Sequence, residues 1–136
     1  MRNPFACLVL PVLLGLPAGA QAAPRAAQDA AEAWLQLTDS GQYGASWDMA
    51  AAPFKAAMAR SAWENALRSV RPPLGVAQSR QLKSATFTRT LPGVPDGEYV
   101  VIQYRTRFEH KAEAVETITP MRGPDGSWRV SGYFIK

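Results

Sequence analysis

The chain has 136 residues, 15 Lys and Arg against 11 Asp and Glu, a formal charge of +4, and one cysteine and one histidine. That charge is mild and falls on isolated residues, which excludes the dense basic stripe of a nucleic-acid binder. One cysteine and one histidine exclude a disulfide scaffold and any Cys/His metal cluster.

Residues 1–22 read as a cleavable signal peptide. Arg2 supplies the positive start, Phe5 to Leu16 is an apolar run of signal length, Pro17 breaks it, and Ala20-Gln21-Ala22 offers the small residues a signal peptidase accepts. The run is too short to remain as a membrane span. Cleavage after Ala22 predicts an exported, periplasmic or secreted protein whose mature part, residues 23–136, is one domain of about 114 residues. It would carry +3 and no cysteine, because Arg2 and Cys7 leave with the signal.

Residues 27 to 71 carry helical periodicity. Ala30, Ala31, Trp34, Leu35, Leu37 and Thr38 share one face of a first helix, Asp29, Glu32, Gln36 and Asp39 the other, and Gly41 stands at a left-handed C-terminal cap. Tyr43, Trp47 and Ala51 mark a short second helix, and Pro53 suits the first turn of a segment with Phe54, Ala57 and Met58. Ser61-Ala62-Trp63-Glu64 reads as a capping box opening a helix that buries Trp63, Leu67 and Val70. Glu64, Arg68 and Arg71 fall at its polar edge, and Pro72-Pro73 ends it.

From residue 76 the pattern turns to strands: Ser79 to Leu91, Glu98 to Phe108, Ala114 to Met121 and Trp128 to Ile135. Turns fall at Pro92–Gly97, at Glu109-His110-Lys111 and at Gly123-Pro124-Asp125-Gly126. Pro120 cannot donate to a sheet ladder and predicts a bulge or strand end. Helices followed by an antiparallel meander give an α+β domain, with the N-terminal helices packed on one face of a curved four-stranded antiparallel sheet.

Five segments of the mature chain carry a family resemblance. They are Ala33-Trp34-Leu35, Gly41-Gln42-Tyr43 with Ser46-Trp47-Asp48, Val70 to Gly75, Pro95 to Ile102, and Trp128 to Tyr133. Together they resemble the exported bacterial family catalogued as domain of unknown function 4019. The resemblance implies a small exported domain, cone-shaped in the nuclear transport factor 2-like or cystatin-like manner, and brings no activity with it. Such folds host isomerases, dehydratases and binding modules alike.

Catalytic signatures are missing from the sequence. His110 has no metal-ligand companion and reads as a solvated turn residue. There is no G-x-S-x-G elbow, no serine with a lysine three residues on, and no Gly-rich phosphate loop. No cofactor and no metal is implied.

Two constellations stand out. Strand alternation places Val100, Ile102, Tyr104 and Phe108 toward the helices, and the next hairpin brings Ala114, Glu116 and Ile118 to the same face. Glu116 then lies beside Tyr104 under the helices. A desolvated carboxylate next to a phenol suits ligand binding or acid–base chemistry of an isomerase or dehydratase type. A structural pair, with Arg71 or Arg80 neutralising Glu116, is the expected alternative. On the opposite face, Lys83, Arg89, Arg105, Arg107 and Arg129, with Thr117 and Tyr133 between them, form a basic patch near Glu109 and Glu113. It is either a docking surface for an acidic partner or an ordinary solvated face. The sequence thus predicts a non-catalytic binding module for a protein or small ligand, with a pocket enzyme using Glu116 and Tyr104 as the alternative.

Overall fold

The computed structural model describes residues 23–136, so the expected signal peptide at residues 1–22 lies outside the described residues. Four helices precede four strands: α1 (Arg25–Asp39), α2 (Tyr43–Asp48), α3 (Ala52–Ala57), α4 (Arg60–Leu74), β1 (Ala77–Thr88), β2 (Tyr99–Phe108), β3 (Lys111–Arg122) and β4 (Trp128–Ile135). The strands form an open antiparallel sheet in sequential order, β1-β2-β3-β4. The helices cover one of its faces.

α1 buries Ala27, Ala31, Trp34, Leu35 and Thr38, a stripe at helical spacing, against the sheet. Gly41, at φ 76°, turns the chain in the left-handed region after it. Pro53 opens α3, and Ala51 N–H bonds the Val130 carbonyl at 2.8 Å, fastening the α2–α3 link to β4.

α4 departs from the sequence reading in three ways. It begins at Arg60 behind Ala59 with no side-chain cap, so Ser61 lies within the first turn and forms no capping box. Glu64 instead pairs with Arg60 and Arg68, four residues to either side. The buried positions are Trp63, Leu67 and Arg71, while Val70 is 45% exposed. A spacing of four from Trp63 reaches Arg71, and Val70 falls a quarter-turn away. Finally, the helix runs through Pro72 and Pro73 to Leu74. Both prolines occupy the last turn, where few ladder bonds remain to be lost. Gly75 ends it at φ 75°, and a Cβ there would stand 2.7 Å from that of Glu109.

The strands begin and end within three residues of the expected bounds, and of four register shifts in the sheet two decide which of the predicted residues face inward. Lys83 is the extra residue between Leu82↔Tyr104 and Ser84↔Gln103. In β4, Ser131 is extra between Thr119↔Gly132 and Pro120↔Val130. Pro120 lacks the N–H that a regular ladder requires, so the irregularity expected there is present. The core joins Trp34, Leu35, Trp63 and Leu67 to Val100, Ile102, Tyr104, Ile118 and Val130. Trp63 meets Phe54 edge-on at 4.9 Å and donates its indole N–H to Ser46 Oγ at 2.9 Å.

Candidate functional site

Glu116 sits on β3 opposite Tyr104 of β2 and Ile135 of β4, wholly buried beneath the helices. Three donors converge on its carboxylate. Arg80 Nε of β1 bonds Oε1 at 2.7 Å, the Thr106 hydroxyl of β2 donates to the same oxygen, and the Tyr133 hydroxyl of β4 donates to Oε2. Each of the four strands contributes one member.

Arg80 carries the network into the helical layer. Its Nη1 and Nη2 hold Asp39, at the end of α1, at 2.8 and 3.0 Å. Arg71 of α4 grips the same carboxylate at 2.8 Å and bonds the Thr38 hydroxyl at 3.0 Å. Two guanidinium groups and two carboxylates thus alternate, Arg71–Asp39–Arg80–Glu116, and the set is neutral. Alternation satisfies the condition under which buried ions are tolerated, because each charge has an opposite neighbour and further hydrogen bonds.

The electrostatics follow from this geometry. Burial alone would raise the Asp39 pKa, but hydrogen bonds and charge from Arg80 and Arg71 outweigh it and hold the carboxyl below its ordinary 3.8. Burial likewise opposes the charged form of Arg80, and Asp39 and Glu116 overcome it, so its pKa rises. Desolvation, with Glu116 adjacent, pushes the Tyr133 phenol up. Tyr104 is pushed up to about 12, first by desolvation and then by the charge of Glu32. Among the described residues the Tyr104 hydroxyl is buried with no hydrogen-bond partner.

The sequence-predicted residues therefore divide. Glu116, Tyr104 and Arg80 come together as expected, and Arg80 supplies the neutralising charge. Arg71 sits in the same network but bonds Asp39 and not Glu116. Tyr133 is a correction: it faces inward, edge-on to Trp34 at 5.1 Å, because Ser131 shifts the alternation of β4 by one residue. Phe134 takes the outward position and is 58% exposed. Arg89 is also corrected. The Lys83 bulge shifts β1, and Arg89 lies past the strand end over the inward-side Phe87, 5.5 Å from its ring. Arg105 and Arg107 face outward as predicted, and Arg129 pairs with Met121 on that side, at the far end of the sheet.

Sequence reasoning passed over Thr106 and Asp39. The alternation that chose Tyr104 and Phe108 also selects Thr106, so that signal was present. Asp39 looked like a solvated helix end, and only the packing of α1 against α4 and β1 gives it two arginines.

The described surface includes two depressions. An apolar groove of about 500 Å³ lies between α1 and the start of β4, lined by Ala30, Trp34, Leu37, Met49, Trp128 and Val130. It does not extend to Glu116 or Tyr104. The Trp34 ring beneath it is fixed by an indole hydrogen bond to the Ser46 carbonyl at 2.8 Å. The second depression, on the outer sheet face, holds Arg105 and Arg107.

Among the described residues no group of three or more His, Cys, Asp or Glu is placed to hold a metal ion, and His110 lies exposed in the β2–β3 turn. No described helix is long and apolar enough to cross a membrane.

Residues 30–133 match the family described as "Protein of unknown function (DUF4019)". The chain belongs to that family. The match spans most of α1 through most of β4 and so takes in the ionic network, the apolar groove and all of the second depression except Lys136. No curated protein matches the chain.

Proposed function

We propose that the mature domain is exported and acts as a non-catalytic binding module, holding a small apolar ligand in the groove between α1 and β4. The groove itself carries this reading. About 500 Å³ is within the size range of small-molecule sites. Its wall includes Met49, which is 55% exposed although large and apolar, and its floor is an indole already locked in place. The signal-like residues 1–22 support the extracytoplasmic setting.

Acid–base catalysis by Glu116 and Tyr104 has one observation in its favour, the unpartnered Tyr104 hydroxyl. Against it, both Glu116 oxygens already accept hydrogen bonds, and the carboxylate is 0% exposed. Oε2 accepts only from Tyr133 and keeps a free lone pair, but a general base must lie within reach of substrate and this carboxylate is closed off beneath the helices. The pairing with Arg80 supports a structural reading of Glu116, which ties the sheet to α1 through Arg80 and Asp39.

Titration with N-phenylnaphthylamine tests the groove. Saturable binding at one site is expected, abolished by Leu37→Asp with little change in melting temperature because Leu37 is only half-buried. Binding that survives Leu37→Asp would remove the groove from consideration. Amino-terminal sequencing of protein recovered from the periplasm tests export, with Ala23 expected as the first residue.

A further inference from the structure

The arginines of the described chain fall into two groups. Arg25, Arg60, Arg68, Arg71, Arg80 and Arg122 each lie within ion-pair distance of a carboxylate. Of the others, Arg89 stacks on Phe87 and Arg129 reaches the Ser127 hydroxyl at 3.4 Å. Among the described residues, Arg105 and Arg107 alone have neither a carboxylate, nor an aromatic ring, nor a side-chain hydrogen bond. They are also neighbours, two positions apart on the same outward face of β2. At roughly 7 Å apart on one strand the two charges repel only weakly in water, and neither lies within ion-pair distance of a described carboxylate.

They do not stand on a flat surface. Both line a trough of about 650 Å³ on the uncovered sheet face. Ser79 and Gln81 stand across from them on β1, and Val115 lies opposite Arg105 on β3. Lys136 exchanges two backbone hydrogen bonds with Val115, at 2.9 and 3.1 Å, and adds a third cation at the far wall. Glu113 is the one acidic side chain lining the trough and offsets one of the three, leaving a local positive surplus.

We infer that this trough binds an acidic segment of a partner protein in extended conformation, Arg105 and Arg107 each taking one of its carboxylates. Charge complementarity supplies the attraction, and spacing selects the occupant. Side chains two apart on a strand are separated by roughly 7 Å, and an extended peptide presents alternate side chains at the same repeat. Each guanidinium offers a planar fork matched to a carboxylate. Ser79 and Gln81 add donors beside the two forks. Three cations fall short of the four to eight that mark an anionic-membrane site, and of the phosphate contacts that nucleic-acid binding requires.

Fluorescence anisotropy with a labelled peptide alternating Glu and Val tests the inference, beside a peptide of equal composition with its glutamates in one block. The alternating peptide should bind saturably at low salt and more tightly than the block peptide. The double variant Arg105→Ala/Arg107→Ala should weaken it by at least about tenfold, the loss of two charge-assisted contacts. Arg68→Ala/Arg89→Ala, which removes the same charge elsewhere, should change it less than about twofold. Both trough side chains are exposed, so the melting temperature of the first variant should match the parent and its loss cannot be assigned to unfolding. Equal loss in the two double variants, or equal binding of the two peptides, would show diffuse attraction and overturn the site. Capture by phosphatidylglycerol vesicles under conditions where the alternating peptide does not bind would replace the peptide by a membrane surface and overturn it as well.

Discussion

Glu116→Gln is the substitution that measures what the buried network contributes. Removing one partner of a buried ion pair costs about 3–5 kcal/mol, because the other charge is left in a medium that does not solvate it. Here the remaining charge is not abandoned, since Arg80 keeps both bonds to Asp39, at 2.8 and 3.0 Å. Glutamine also retains a carbonyl oxygen for Arg80 and Thr106. Its amide must face Tyr133, whose hydroxyl can turn from donating to accepting. The expected loss is therefore below that range, about 2–3 kcal/mol. Arg80→Met is the more severe change. It leaves a fully buried carboxylate with only two hydroxyl donors and takes a partner from Asp39, for about 4–5 kcal/mol. Urea unfolding reads both, as a lowered midpoint with an unchanged slope. The double variant should lose less than the sum of the two, because Glu116 and Arg80 are each other's partners and each single change already removes their bond. A Glu116→Gln midpoint indistinguishable from the parent, or a loss greater than that of Arg80→Met, would refute the assignment of Glu116 as a paired structural ion.

Trp63→Ala removes an indole that is 6% exposed, packs on Phe54 and bonds Ser46; a loss of about 3–5 kcal/mol is expected by thermal or urea melting. Tyr104→Phe deletes a buried hydroxyl with no described partner, so stability at neutral pH should hold or rise by roughly 1 kcal/mol; a loss above that size would reveal a hydrogen bond the hydroxyl depends on. A raised phenol pKa favours the folded state below the ordinary value near 10 and loses that contribution as pH climbs through the folded value, about 12 for Tyr104. Alkaline unfolding of the parent should therefore set in over that interval and shift upward in Tyr104→Phe. Asp39 has the opposite sign: its lowered pKa adds stability above 3.8 that disappears as pH falls through the folded value below it. Urea midpoints should stay level from neutral pH to about pH 4 and then drop, and Asp39→Asn should flatten that drop.

The order of elements, the strand boundaries and the inward face of β2 are legible in the sequence because each follows from local rules. Helical stripes repeat at 3.6 residues, strands alternate at two, and Gly and Pro punctuate them. Glu116 beside Tyr104 came from the same alternation. What the sequence did not decide is where alternation breaks. One extra residue at Ser131 moved Tyr133 onto Glu116 and Phe134 into solvent, and one at Lys83 carried Arg89 to the helix side. A bulge is a property of two paired strands, so a single strand read alone cannot give its consequence. The partners of Arg71 and Arg80 were equally hidden. Asp39 stands 32 residues before Arg71 and 41 before Arg80, and only the packing of α1 on α4 and the sheet brings a helix-end carboxylate between two guanidinium groups. Charge pairing over such separations is fixed by tertiary geometry, which also leaves Arg105 and Arg107 together without a partner.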